Sequence, residues 1–175
     1  MTTYIALLRA VNLGPVNSLP MAALKATCEG LGFHDVRTYL ASGNVVFRSA
    51  EKEARVKASL EAALAGYAGR PVGVAVRTGE EMAAVLKGNP FPVMSGSKTV
   101  AIFLDDAPAE NVMDSVTNQV REELRVGRRE IYVYYADGIG EAKLKIPAAK
   151  QGTARNMNTI AKLVEIAKAV EMTGA

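Results

Sequence analysis

Two short strands are predicted within residues 36–47, in the run Val36-Arg37-Thr38-Tyr39-Leu40-Ala41-Ser42-Gly43-Asn44-Val45-Val46-Phe47. Residues 36–40 and 45–47 are rich in β-branched and aromatic side chains, which favour strands. Gly43 and Asn44 lie between the two runs, and both residue types are common in tight turns because they tolerate unusual backbone angles. We therefore expect an antiparallel hairpin here.

The segments around this hairpin predict the rest of a small antiparallel unit. Before it come a buried strand from Thr3 to Arg9 and a helix that starts at about Met21 and ends at the glycines 30 and 32. After it come a helix over residues 51–65 and a valine-rich strand over residues 72–76. The order βαββαβ is typical of a ferredoxin-like unit, in which two helices cover one face of the sheet.

The order strand, helix, strand, strand is predicted a second time further along the chain. It follows a short helix at about residues 80–87 and a boundary near residues 95–97. Its elements are a strand at 99–104, a helix at 108–118, a hairpin at 123–135, a short helical stretch, a break at 147–152 and a long final helix. We expect an α+β fold with duplicated ferredoxin-like (βαββαβ-type) halves, antiparallel sheets and a long C-terminal helix, with domains at residues 1–95 and 96–175.

Polar side chains crowd the predicted start of the final helix, in the run Thr153-Ala154-Arg155-Asn156-Met157-Asn158-Thr159. The start of a helix presents free backbone N–H groups and the positive end of the helix dipole. Arg155, Asn156 and Asn158 are therefore predicted to bind an anionic or carbonyl-rich ligand. The alternative is local: Thr153 caps the helix, and the two asparagines bond to nearby backbone groups.

A second polar group follows the first strand. Arg9, Asn12 and Asn17 lie there, and Asn44 of the hairpin turn could join them. Strand ends that share one edge of a sheet are common places for binding sites. The alternative, about equally favoured, is that these asparagines satisfy backbone groups of their loops.

Two further motifs allow both a chemical and a local structural interpretation. Gly138-Ile139-Gly140 with Lys143 follows a strand and could open a helix that approaches a phosphate, although a plain turn is the favoured interpretation. The pair Asp105-Asp106 could hold Mg²⁺, but capping of a helix ahead of Pro108 is favoured. One histidine and one cysteine cannot build a Cys/His zinc site, so no metal site is predicted, and the sequence identifies no cofactor.

Composition sets limits on the class of partner. The chain has 175 residues, 49% of them hydrophobic, and 21 basic against 18 acidic side chains give a net charge of only +3, too little to indicate nucleic acid by itself. The basic residues are concentrated locally, since no acid lies between Glu141 and Glu165. The N-terminal apolar run is too short for a signal peptide or membrane span, and a lone Cys28 forms no internal disulfide. We expect a cytoplasmic protein that does not bind membranes.

Five segments together resemble the bacterial domain-of-unknown-function 1697 family. They are Ala6-Leu7-Leu8-Arg9-Ala10-Val11-Asn12-Leu13-Gly14, Thr38-Tyr39-Leu40-Ala41-Ser42-Gly43-Asn44-Val45-Val46-Phe47, Asn89-Pro90-Phe91, Gly138-Ile139-Gly140 with Lys143-Leu144, and Thr153-x-Arg155-Asn156-x-Asn158-Thr159. The resemblance implies a duplicated α+β fold with no assigned activity. Pro15 replaces a frequent second glycine of that family, and Met157 replaces a frequent aromatic residue, which argues against a stacking role at that position.

These patterns favour a protein that binds a phosphate-bearing or other anionic ligand, either a nucleotide or nucleic acid, in a polar cleft. The alternative is an enzyme that acts on a small anionic metabolite, with Arg9 and Arg155 holding the substrate and the asparagines orienting it. Both hypotheses require the two polar groups to converge after folding. The sequence does not predict the oligomeric state.

Overall fold

The computed structural model describes residues 1–9, 19–40 and 42–174. Within these ranges the protein contains two four-stranded antiparallel sheets and four α-helices, the last at the C-terminal end, so the predicted α+β class is confirmed. The strands are β1 (Thr2–Leu8), β2 (His34–Tyr39), β3 (Asn44–Ser49), β4 (Val74–Thr78), β5 (Thr99–Phe103), β6 (Glu123–Val126), β7 (Glu130–Tyr134) and β8 (Thr153–Asn156). The helices are α1 (Met21–Gly30), α2 (Glu53–Ala68), α3 (Gly79–Lys87) and α4 (Met157–Thr173).

The chain divides into two compact units. The first comprises residues 1–83 and 162–175, and the second comprises residues 84–161. Compactness thus places a division after Ala83 and assigns the later part of α4 to the first unit. The boundary predicted near residues 95–97 stays a prediction.

The sheet of the first unit has the strand order β2-β3-β1-β4. Its hairpin joins β2 to β3 as predicted, with Thr38 opposite Val45 and Tyr39 opposite Asn44. Gly43 has a φ of 86°, a left-handed angle that glycine adopts without strain, so the tight turn depends on this residue type. The predicted element order βαββαβ is present, with each bound shifted by only a few residues.

The core of the first unit lies between its sheet and the helices α1 and α2. Alternate strand residues such as Tyr4, Ala6 and Phe47 pack with apolar residues of the two helices. The rings of Phe33 and Phe47 stack, with centroids 4.3 Å apart and an interplanar angle of 6°. Stacked aromatic rings stabilise a fold beyond the effect of the apolar surface that they bury, so this pair contributes to the stability of the core.

Cys28 of α1 is fully buried in this core, and burial raises the pKa of its thiol to about 12. Because only the thiolate reacts, we expect no labelling by Ellman's reagent in the native protein at pH 8, and labelling of one thiol per chain in denaturant. Rapid labelling of native protein would contradict the burial.

The raised pKa of the Cys28 thiol also makes stability depend on pH. The thiol of the unfolded chain ionises near pH 8.5. The stability that the buried, protonated thiol contributes is therefore present below about pH 8.5 and is lost as the pH rises toward the pKa of the folded state.

The sheet of the second unit has the order β6-β7-β5-β8. Its core contains alternate residues of β5 and β7, including Val100, Ile102, Ile131 and Val133. The predicted helix at 108–118 is wrong, because the structure has only a 3-10 turn at Val112–Ser115. Asparagine, aspartate, serine and threonine are frequent in this segment, and they bond to nearby backbone groups in ways that compete with a helix.

The predicted start of the final helix also needs correction. Residues 153–156 form strand β8, which pairs with β5 and places Arg155 opposite Ala101. The helix begins only at Met157, and Oδ1 of Asn156 accepts a hydrogen bond of 2.9 Å from the backbone N–H of Thr159. Asn156 therefore caps α4, and Thr153 does not.

The segment from Gly138 to Lys143 does not open a helix. It consists of turns and irregular backbone, with Gly138 at a φ of 87° and the N–H of Ala142 donating to Ile139 O. The helical prediction at this place is wrong, and the alternative of a plain turn is confirmed. None of the described helices combines the length and the apolar character that a membrane crossing requires.

Candidate functional site

Arg9 and Asn44 lie at the same edge of the first sheet. Arg9 follows β1 and is exposed, and its backbone N–H donates to Gly73 O at 2.9 Å. The N–H of Leu8 donates to Gly43 O at 2.8 Å, which places the end of β1 beside the hairpin turn. Asn12 and Asn17, predicted to join them, lie outside the described residues.

Asn44 is fully buried, and its side chain closes the hairpin turn. Its Nδ2 donates to Tyr39 O at 2.7 Å and to Oγ of Ser42 at 2.9 Å. These hydrogen bonds satisfy polar groups of the turn, as the local alternative for this residue predicts. A ligand-binding role for Asn44 stays a prediction.

Replacing Asn44 by alanine is expected to lower the free energy of unfolding by about 1–3 kcal/mol, because Tyr39 O loses a buried donor. Urea unfolding followed by circular dichroism measures this loss. The matched control is Asn111→Ala, since Asn111 is exposed and its side chain forms no capping hydrogen bond. A loss no larger than that of the control would show that the turn does not depend on the amide.

Arg155 lies on β8 with only 9% of its surface exposed. Its Nη1 donates to Ala154 O at 2.9 Å, and burial lowers the pKa of the guanidinium to about 10. A lowered pKa of a basic group means that its surroundings disfavour the charged form. Arg155 is thus a partly desolvated cation on the strand that leads directly into α4.

The start of α4 lies against a serine-rich loop, residues 95–98, which we call the Ser95 loop. The N–H of Met157 donates to Gly96 O at 3.1 Å, and a Cβ atom on Gly96 would collide with Oδ1 of Asn158. The hydroxyls of Ser95 and Ser97 are 2.8 Å apart. Ser95, Ser97 and Asn158 are all exposed, so hydroxyl and amide groups meet at the accessible first turn of a 17-residue helix.

The Ser95 loop was not predicted from the sequence. Its signal was present as a glycine between two serines, but nothing local links residues 95–97 to a helix that starts some sixty residues later.

Lys143, the remaining predicted residue, is exposed in the irregular segment before the bridge between Thr117 and Lys145. Arg9 and Asn44 belong to the first unit, while Arg155, Asn156 and Asn158 belong to the second. Their convergence on one cleft stays a prediction.

The acidic pair Asp105-Asp106 does not cap a helix, since none begins at Pro108. The backbone carbonyl of Asp105 accepts hydrogen bonds from Nε and Nη2 of Arg129 at 3.0 and 2.7 Å. Within the described ranges, no three or more His, Cys, Asp or Glu side chains are grouped so that they could hold a metal ion.

A pocket of about 400 Å³ in the first unit was not predicted from the sequence. Its walls include Thr3 of β1, Arg48 of β3, Gly79 of α3 and Glu171 of α4. These residues come from four separate elements, so no motif in the sequence connects them.

Comparison with known proteins supports the fold. A solved structure described as the conserved bacterial protein SP0830 from Streptococcus pneumoniae matches with a TM-score of 0.77 and 22% sequence identity, over 95% of this chain and 98% of that chain. No curated protein matches. The family model described as "Protein of unknown function (DUF1697)" matches residues 1–132, which confirms the resemblance seen in the sequence. The chain therefore belongs to the DUF1697 family of proteins of unknown function.

Proposed function

We propose that the protein binds a phosphate-bearing or other anionic ligand at the start of α4, with the Ser95 loop as the opposite wall. The observation that carries this proposal is the contact of Asn158 with Gly96 beside the hydroxyls of Ser95 and Ser97. An anion at this place would meet the hydroxyls, the amide and the positive end of a long helix.

The charge of Arg155 gives independent support. Burial lowers the pKa of its guanidinium to about 10, because a buried position disfavours the charged form. A bound anion near β8 would favour the charged form. The exposed side chains of Lys143, Lys145 and Lys150 add positive charge to the same unit.

Titration with ATP and with a single-stranded oligonucleotide of twelve thymidines, about the span that one small binding domain covers, tests this function. We expect ATP to bind, and Asn158→Ala to weaken its affinity about tenfold, the loss of one charge-assisted hydrogen bond. Asn158 is exposed, so its replacement leaves the melting temperature unchanged, and Asn111→Ala is the control of matched chemistry.

Tighter binding of the oligonucleotide than of ATP, with affinity that falls steeply with salt, would assign the site to nucleic acid. The proposal fails if neither ligand binds, or if Asn158→Ala binds ATP as tightly as Asn111→Ala does.

We also propose that the two units arose by duplication of a ferredoxin-like unit and that the two halves divide near residue 95. We propose in addition that the protein is cytoplasmic. The same spatial strand order supports the duplication, since β2-β3-β1-β4 corresponds to β6-β7-β5-β8. The second unit differs because its strands β5 and β6 are connected through a 3-10 turn, where the first unit has helix α1.

A further inference from the structure

The pocket of the first unit is lined by two residues of adjacent strands, each with a buried donor group. Thr3 is 5% exposed, and its Oγ1 has no hydrogen-bond partner among the described residues. The same holds for Nε of Arg48, which lies directly opposite Thr3 in the pairing of β1 with β3. Buried polar groups are almost always paired, so both donors point to an acceptor atom that a ligand would supply.

The guanidinium of Arg48 is held in place by other contacts. Its Nη1 donates to Gly174 O at 2.8 Å and lies 3.7 Å from Oδ2 of Asp35. These contacts fix the side chain without using Nε. A bound acidic group would therefore meet an oriented cation together with the hydroxyl of Thr3.

Helix α3 begins at the same pocket. Its start is closed by reciprocal bonds between Thr78 and Glu81, with N–H to Oε1 at 2.9 Å and N–H to Oγ1 at 3.1 Å. Gly79 has no side chain, and a Cβ atom there would lie 3.9 Å from Cγ2 of Thr3 and 3.1 Å from Oε1 of Glu171. The carboxylate of Glu171 therefore lies beside the start of α3, close to Thr3.

Two carboxylates give the same pocket negative charge. Glu80 and Glu171 line the pocket, and both are exposed. A ligand with negative charge alone would be repelled by these carboxylates, and a ligand with positive charge alone would be repelled by Arg48. A molecule that carries one acidic and one basic group is complementary to both charges of the pocket.

We propose that this pocket binds a small zwitterion of the free α-amino acid class. Its carboxylate lies against Thr3 and Arg48, and its ammonium group lies against Glu171. The site belongs wholly to the first unit and is separate from the anion site at the start of α4.

Titration calorimetry of the full chain with the common free L-amino acids tests the pocket. At least one is expected to bind with saturation and to raise the melting temperature. For L-alanine as the probe, propionate lacks the ammonium group and ethylamine lacks the carboxylate. Both analogues are expected to bind at least tenfold more weakly than the zwitterion. Absence of binding by every amino acid, or equal binding by the analogues with one charge, would overturn the proposal.

Two variants separate binding from folding. Thr3→Val keeps the shape of the side chain and removes the unpaired hydroxyl, so the ligand-free protein is expected to melt at a higher temperature while amino-acid affinity falls about tenfold. Glu171→Gln removes one charge at an exposed position, and its control is Glu165→Gln on the same helix, where the carboxylate pairs with Lys162. Equal affinity of Glu171→Gln and Glu165→Gln would refute the role of the Glu171 carboxylate.

Discussion

Replacing Phe47 by alanine is expected to lower the free energy of unfolding by about 3–5 kcal/mol, because the ring is fully buried and its loss leaves a cavity in the core. The stacking contact with Phe33, with centroids 4.3 Å apart, is lost as well. For a chain of this length, the melting temperature should fall by roughly 10 °C. Calorimetry measures this change.

The control for Phe47 is Tyr67→Ala on α2. Tyr67 is 55% exposed, so removing its ring should change stability by less than about 0.5 kcal/mol. Phe47→Leu fills part of the cavity and should recover part of the loss. If Phe47→Ala and Tyr67→Ala had the same melting temperature, the packing of the sheet against α1 and α2 described for the first unit would be incorrect.

Replacing Gly152 by valine is expected to destabilise the second unit by about 3 kcal/mol, at the upper end of the cost of overpacking. The backbone at Gly152 is extended, with φ −103° and ψ 175°, so any residue could adopt its angles. The cost is steric, because a Cβ atom would lie 2.8 Å from Cγ2 of Ile102 and 3.0 Å from Phe103 O. The backbone oxygen cannot move away without disturbing the pairing of β5 with β8.

Gly152→Ala and Gly140→Ala refine this test. The alanine at 152 introduces only the Cβ atom and should cost less than valine does. Gly140 has no atom within 4 Å of the Cβ position and does not have a positive φ, so its replacement should be nearly neutral. Equal urea midpoints for all three variants would show that strand β5 does not pass close to Gly152.

The helices and strands of the first unit could be predicted because residue patterns within each segment mark them. Gly43 and Asn44 mark the hairpin turn, and the apolar spacing of Leu24 with Cys28 marks α1. Strand β8 could not be predicted this way. The residues Thr153 to Asn156 become a strand by pairing with β5, about fifty positions earlier in the chain, and this distant partner leaves no pattern within the segment.

The polar residues before α4 were assigned to the wrong element for a related reason. Asn156 is a typical cap, and a capping residue predicts that a helix starts directly after it. The helix was predicted to start earlier, and Arg155 was therefore predicted to be a helical residue. Its position on β8, and the burial that follows, depend on the sheet.

The pocket around Thr3 shows the limit of sequence reasoning for sites. Thr3 and Arg48 are ordinary strand residues in the sequence, and neither belongs to a motif. The register of β1 against β3 places them opposite each other, and the end of α4 adds Glu171. Only the folded chain brings into one pocket Oγ1 of Thr3 and Nε of Arg48, neither of which has a hydrogen-bond partner in the described part of the chain.

The discontinuous first unit has a consequence for the order of folding during synthesis. Residues 162–175 belong to that unit, but the ribosome makes them after every residue of the second unit. The strands β1 to β4 therefore emerge first, but their unit lacks residues 162–175 until synthesis of these residues is finished. Residues 84–161, in contrast, emerge as one uninterrupted segment. The half that is translated first is the half that is completed last.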